Sequence, residues 1–143
     1  FLNKQSPIDP LFLIPAFVIG FIIALPLHEI MHALCYPKSA TVWIGLCLRK
    51  LAAYAISYHP LTKTRFVIMS LAPSALGIIP LALFIVLPIS MKPLLTVCFI
   101  SAFMGLVSPA PDYMDILSVI NKVPNTAMIQ DTPNGLFFYD SAK

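Results

Sequence analysis

The 143-residue sequence is 59% hydrophobic and only 10% charged, with a formal net charge of +3 and a mean hydropathy of +0.88. Soluble domains carry about 25% charged residues, so this composition excludes an ordinary soluble domain, a disordered tail and a coiled coil. The few basic residues are scattered, which argues against a nucleic-acid partner. The three cysteines are too widely spaced for a disulfide framework or a CxxC metal pair. The sequence therefore predicts a mainly α-helical, multi-pass protein of the cell membrane, surrounded by the lipid bilayer.

The uncharged stretches predict where the chain crosses the bilayer. Three of them contain no Asp, Glu, Lys or Arg, namely residues 10–27, 66–91 and 93–111. Each is long enough to cross a hydrocarbon core of about 30 Å at about 1.5 Å per residue, although several contain prolines that membrane helices tolerate. Within a single membrane-embedded domain covering the whole chain, we therefore predict three transmembrane helices over about 10–36, 64–88 and 93–109.

The basic residues predict the orientation of these helices. The connection between the second and third helices carries only Lys92. The connection between the first and second carries five cations, which are Lys38, Arg49, Lys50, Lys63 and Arg65. The positive-inside rule then places residues 37–65 and the C-terminal tail in the cytoplasm.

Two segments outside the helices have strand character. Residues 41–58 are rich in β-branched and aromatic residues and predict a small cytoplasmic-side β-hairpin joined near Arg49, with an amphipathic helix as the alternative. The C-terminal tail, residues 123–143, contains turn signals at Pro124-Asn125 and Pro133-Asn134-Gly135. It therefore predicts a loop followed by one short strand over 136–139.

An HExxH motif lies at the end of the first predicted helix, in His28-Glu29-Ile30-Met31-His32. On a helix the two histidines lie one turn apart on one face, so their imidazoles can bind one Zn²⁺. Glu29 lies about 60° around the helix from His32, at about 100° per residue. Its carboxylate can then reach a water molecule on the metal without binding the metal itself. We predict His28 and His32 as zinc ligands and Glu29 as the general acid/base.

This motif is specific in a chain of this composition. The sequence has three histidines and one glutamate, so a chance match would be rare. Ionisable residues beside hydrocarbon are costly to keep, which favours a functional role. The alternative is a cluster of polar side chains that reach the interface from a helix end.

A catalytic zinc needs a third protein ligand and an open fourth position. The single glutamate excludes a set with a second glutamate, and Lys38 stands where an HExxHxxGxxH set needs a histidine. The candidates that remain are Asp112, Asp115, His59 and Cys35. The aspartates lie where the third helix returns to the side of the motif, and they share a face if Pro111 starts a helical turn. Either aspartate could instead cap a helix N-terminus.

The other two candidates have simpler explanations. Cys35 lies on the same helix face as the histidines, but a small buried cysteine is the commoner role. His59 precedes a proline in a basic loop, where a solvated or hydrogen-bonded histidine is ordinary.

The order of these features resembles a known class. A transmembrane HExxH, a strand-rich segment, two further helices and an aspartate at the end of the last one are similar to the site-2 proteases, which are intramembrane metalloproteases. More closely, the chain resembles the small bacterial membrane proteins grouped as putative zincin peptidases. The matching segments are HEIMHALCYP, AYAISYHPLTKTRF, Leu71-Ala72-Pro73, PAPDYMDI and DTPNGLFFY.

The resemblance implies zinc-dependent hydrolysis of a peptide bond, with His28, His32 and an aspartate of the third helix as ligands. In site-2 proteases that aspartate follows a proline and precedes a glycine. Pro111-Asp112 fits the first half of this pattern, but Tyr113 replaces the glycine. The resemblance thus favours Asp112, with Asp115 as the alternative.

The predicted function is an intramembrane zinc metalloendopeptidase acting near the cytoplasmic leaflet on a membrane-protein or peptide substrate. One alternative is a non-catalytic zinc-binding module with a regulatory or scaffold role, which would have a closed shell of four ligands. Another is a metal transporter, which would need ligands at several depths of the bilayer. All candidate ligands here are predicted at one depth, which disfavours the transporter.

Overall fold

The computed structural model describes residues 6–47, 49, 52–132 and 135–140. In this part of the chain the protein is mainly helical, as expected, with two small antiparallel sheets. The helices are α1 (Leu13–Cys35), α2 (Lys63–Leu71), α3 (Ala75–Val86), α4 (Lys92–Val107) and α5 (Ala110–Lys122). Short 3-10 turns precede α1, join α2 to α3 and precede α4; they are Pro10–Phe12, Ala72–Ser74 and Ile89–Met91.

Three helical segments are long and apolar enough to cross a membrane: Pro10–Cys35, Lys63–Val86 and Ile89–Lys122. They match the three predicted helices in order, but the first two end slightly earlier than predicted, at Cys35 and Val86 instead of residues 36 and 88. The third differs from the prediction because it continues beyond residue 109 through α5. Pro109 is the residue before α5 and Pro111 lies in its first turn, where a helix does not need the missing N–H. These prolines therefore begin a helix.

The chain divides into two compact units. The first contains the chain up to Ala24 together with Ser74–Ser108. Its helices α3 and α4 touch through Gly77 and Gly105, since a Cβ atom on Gly77 would lie 2.6 Å from the backbone nitrogen of Leu106. Such close backbone contact at small residues is typical of helix pairs in membranes.

The second unit contains Leu25–Pro73 and the chain from Pro109 onwards. Phe66, Met69 and Ser70 lie on one face of α2 at helical spacing, and this face is buried. It packs in a core shared with α5 and the sheet, formed by Tyr36, Leu61, Phe66, Met69, Val119, Val123, Ala127 and Ile129. This unit carries every residue of the candidate site described below.

The predicted hairpin is present as β1 (Trp43–Cys47) and β2 (Ala52–Ile56), which pair antiparallel. The alternative of an amphipathic helix there is therefore wrong. Leu48, Lys50 and Leu51 lie outside the described residues.

The C-terminal tail is more ordered than the sequence predicts. The expected strand over 136–139 lies within β5 (Gly135–Asp140), but the preceding residues form another strand, β4 (Ala127–Thr132), where we expect a loop. β4 is central in a three-stranded sheet, between β5 and the short strand β3 (Leu61–Thr62). Its burial alternates through Ala127 and Ile129, a period hidden in the sequence by the apolar Met128. Pro133 and Asn134 of the predicted turn lie outside the described residues.

Candidate metal centre

The two histidines of the HExxH motif face each other with their Nε2 atoms. His28 and His32 lie on the last turns of α1, one helical turn apart. Their Nε2 atoms are 3.1 Å apart, and the rings meet edge to face with centroids 4.8 Å apart. The side chains are largely buried. The local helix therefore aims both imidazoles at one point.

Asp112 reaches the same point from the first turn of α5. Its Oδ2 atom lies 3.2 Å from Nε2 of His28 and 3.5 Å from Nε2 of His32. That oxygen is buried and has no hydrogen-bond partner among the described residues. A buried carboxylate oxygen without a hydrogen bond calls for an explanation, and a metal ion supplies one.

The three atoms lie within about 0.2 Å of the spacing that tetrahedral zinc requires. Zinc binds nitrogen and carboxylate oxygen at about 2.0–2.2 Å, so two tetrahedral ligands stand about 3.3–3.6 Å apart. The three separations here are 3.1, 3.2 and 3.5 Å. The side chains of His28, His32 and Asp112 therefore form a group that can hold a metal ion. The donor types, two imidazoles and one carboxylate, also suit zinc.

A backbone contact orients His32. Its Nδ1 atom lies 3.0 Å from the carbonyl oxygen of Met69 on α2. A carbonyl only accepts, so Nδ1 carries the proton and donates it, which leaves the lone pair of Nε2 free for a metal. Metal-bound histidines commonly donate their other ring N–H to a carbonyl or carboxylate in this way.

Glu29 lies beside this group without joining it. Its carboxylate is close enough to His28, His32 and Asp112 for their charges to interact. It also interacts with the backbone N–H of Ala55 on β2, so the hairpin lies against the motif. This is a suitable place for a general base that must reach a water molecule near the metal.

The other candidate ligands lie outside the group. Asp115 is one turn further along α5, where its charge interacts with those of Asp112 and Asp131. Cys35 is half-buried beside the core of the second unit. His59 lies in the segment before β3, where its backbone N–H donates to Ser57 Oγ at 3.3 Å. Among the described residues, no fourth His, Cys, Asp or Glu joins the three.

Two basic residues that the sequence analysis uses only to predict membrane orientation also make structural hydrogen bonds. Lys63 Nζ donates to the carbonyls of Ile120 and Val123 at 3.1 and 2.8 Å, at the end of α5. Arg65 Nε donates to the carbonyl of Cys35 at 2.9 Å, at the end of α1. Cations at a helix C-terminus donate hydrogen bonds to the last carbonyls and interact favourably with the helix dipole. The first turn of α2 thus anchors both helices that carry the candidate ligands.

Comparison with known proteins agrees with this centre. The sequence matches the family described as "Putative zincin peptidase" over residues 21–128, a range that includes both histidines, Glu29 and both aspartates. Comparison with the curated proteins and with the solved structures gives no significant match. Since the matched range is well over half of the 143 residues, the chain belongs to the "Putative zincin peptidase" family.

Proposed function

We propose that this protein is a zinc-dependent endopeptidase of the intramembrane, site-2-protease-like type. The observation that carries the proposal is the meeting of three ligand atoms from α1 and α5 beside the carboxylate of Glu29. His28, His32 and Asp112 would hold the zinc ion. The family description supports zinc and peptide hydrolysis independently of this geometry.

Each residue then has a defined task. Zinc, when bound, polarises the scissile carbonyl and makes a water molecule more acidic. Glu29 accepts the proton of the attacking water and later donates it to the departing amine. The Met69 carbonyl keeps His32 in the tautomer that presents Nε2 to the metal.

The open edge of β2 supports a way of holding the substrate. Within the described residues β2 pairs with β1 alone, and the backbone of Ala55 is close enough to Glu29 to interact with its carboxylate. The strand β2 therefore lies beside the carboxylate of Glu29. An extended peptide pairing with this edge by backbone hydrogen bonds would bring a carbonyl to the centre.

The surface of α1 supports a position in the bilayer. From Leu13 to Leu27 this helix is apolar around its whole circumference, yet Ile14 is 76% exposed, as is Leu34 further along the helix. A helix that is hydrophobic all round is normally buried in protein or in lipid. We propose that the three apolar segments span the cell membrane, and the cations of residues 37–65 favour a cytoplasmic active site.

The number of ligands favours catalysis over a structural zinc. A structural site is closed by four protein ligands, whereas a catalytic site keeps one position open. His28, His32 and Asp112 make three, and within the described part of the chain no further side chain of a suitable type completes the shell. The non-catalytic module remains the second candidate.

The test uses Glu29→Gln with purified full-length protein in detergent. We expect this variant to bind zinc as the wild type does, because Glu29 is not a ligand, while cleavage of fluorescently labelled casein falls by at least about 100-fold. His28→Ala is the control that should bind zinc much more weakly, because it removes a ligand, and should lose cleavage. Cleavage retained by Glu29→Gln would refute the catalytic assignment. Wild-type protein with full zinc occupancy is also tested for cleavage of casein and, by labelling of new N-termini, for cleavage of proteins in membranes from producing cells. If it cleaves neither, the result would favour the non-catalytic module.

A further inference from the structure

The Met69 carbonyl that receives His32 sits at an interruption of its own helix. In a continuous α-helix this oxygen would accept the N–H of the residue four positions later. That residue is Pro73, which has no N–H. α2 ends at Leu71, and the chain passes into the 3-10 turn Ala72–Ser74.

The interruption leaves one acceptor position of the Met69 oxygen open. The Ala72 N–H is shared between the carbonyls of Ile68 and Met69, so it provides one partner from within the helix end. A carbonyl oxygen has two lone pairs. The second is used by Nδ1 of His32, 3.0 Å away and 37 residues earlier in the chain.

We propose that Pro73 is a positioning residue for His32. By providing no N–H, it reserves the Met69 carbonyl for the imidazole. This fixes the Nδ1–H tautomer and directs the Nε2 lone pair towards the metal position that His28 Nε2 and Asp112 Oδ2 also face. Pro73 is fully buried, so it acts from inside the second unit and does not touch the substrate. The inference rests on the proposed function only in taking His32 as a metal ligand.

A pair of variants separates the missing N–H from the shape of the side chain. Pro73→Ala introduces an amide N–H that competes for the Met69 carbonyl. Replacing Pro73 with lactic acid, the α-hydroxy analogue of alanine, gives the same methyl side chain with an ester oxygen and no N–H. Pro80→Ala is the matched control, because Pro80 lies inside α3, a helix that carries none of the candidate ligands.

Two measurements are made on full-length protein in detergent. The first is the ring ¹⁵N spectrum of His32 in metal-free protein, well above the ordinary imidazole pKa of about 6.5, which reports the tautomer without any metal. The second is the affinity for zinc alone, from competition with a chromophoric chelator. Loss of the group that accepts a hydrogen bond from a metal-bound histidine lowers metal affinity by about 10–100-fold. For Pro73→Ala we expect zinc affinity to fall by about tenfold.

The expected result is Nδ1–H in the wild type, the lactic acid variant and Pro80→Ala, with a shift towards Nε2–H and weaker zinc binding in Pro73→Ala. An equal loss in the lactic acid variant would overturn the inference, because the cause would be packing. A folded Pro73→Ala protein with wild-type tautomer and affinity would also overturn it. If Pro73→Ala does not fold, the wild type and the lactic acid variant still decide, since Nε2–H in either contradicts the proposal. If wild-type protein binds no zinc, the proposed function fails while the tautomer measurement still tests Pro73.

Discussion

Removal of the Asp112 carboxylate tests the third ligand directly. Its Oδ2 lies 3.2 and 3.5 Å from the two imidazole nitrogens, so Asp112→Ala leaves two of the three ligand atoms. Loss of a group that only supports a ligand already costs about 10–100-fold in metal affinity. Loss of a ligand itself should exceed the upper end of that range, which corresponds to at least about 2.8 kcal/mol of binding free energy.

Asp115→Ala is the matched control, because it removes the same side chain one turn along the same helix. It should act only through the lost attraction of a charge several ångströms from the metal, which at high dielectric is about 1 kcal/mol or about fivefold. Zinc affinity is measured by chelator competition on metal-free protein in detergent, with circular dichroism to verify that each variant is folded. Strong zinc binding by Asp112→Ala together with loss of binding by Asp115→Ala would refute the assignment of the third ligand.

Two further predictions concern the second unit. Lys63→Ala should lower the free energy of unfolding by about 1–2 kcal/mol in denaturant titrations, because it removes two hydrogen bonds at the end of α5. Lys38→Ala, at an exposed position, is the control. An equal effect of both substitutions would contradict the capping role of Lys63. Burial raises the pKa of Tyr36 to about 12, and the charge of Asp131 adds to the shift. The Tyr36 phenol therefore ionises near pH 10 in the unfolded chain but only at higher pH in the folded protein. The contribution of Tyr36 to the free energy of unfolding should therefore be constant below about pH 10 and decrease between about pH 10 and 12. Tyr36→Phe should remove this part of the decrease, and an unchanged profile would count against the burial of this phenol.

The helices could be predicted from the sequence because their signal is local. Uncharged runs long enough to span a bilayer predict helix without knowledge of any partner. The extension of the third segment through α5 was harder, since Pro109 and Pro111 suggest an ending as readily as a beginning. β4 was missed because its alternation is weak and its place between β3 and β5 depends on residues far away in the sequence.

In the candidate site, too, the local features could be predicted from the sequence and the long-range contacts could not. The spacing of His28, Glu29 and His32 is a property of one helix, so the motif alone relates them. The approach of Asp112 depends on how α5 packs in the second unit, and spacing alone left Asp112 and Asp115 open. Met69 could not be found among side-chain types, because its contribution is a backbone carbonyl. Its only trace in the sequence is the proline four residues later.

The most direct test of the metal centre is zinc X-ray absorption spectroscopy on the purified protein, alongside zinc stoichiometry. We expect one zinc ion per chain, surrounded only by nitrogen and oxygen at about 2.0–2.2 Å, with the scattering pattern of two imidazoles. The imidazole contribution should halve in His28→Ala protein that is saturated with zinc. A sulfur neighbour at about 2.3 Å, which would point to a cysteine such as Cys35, or protein that is folded yet binds no zinc, would contradict a centre built from His28, His32 and Asp112.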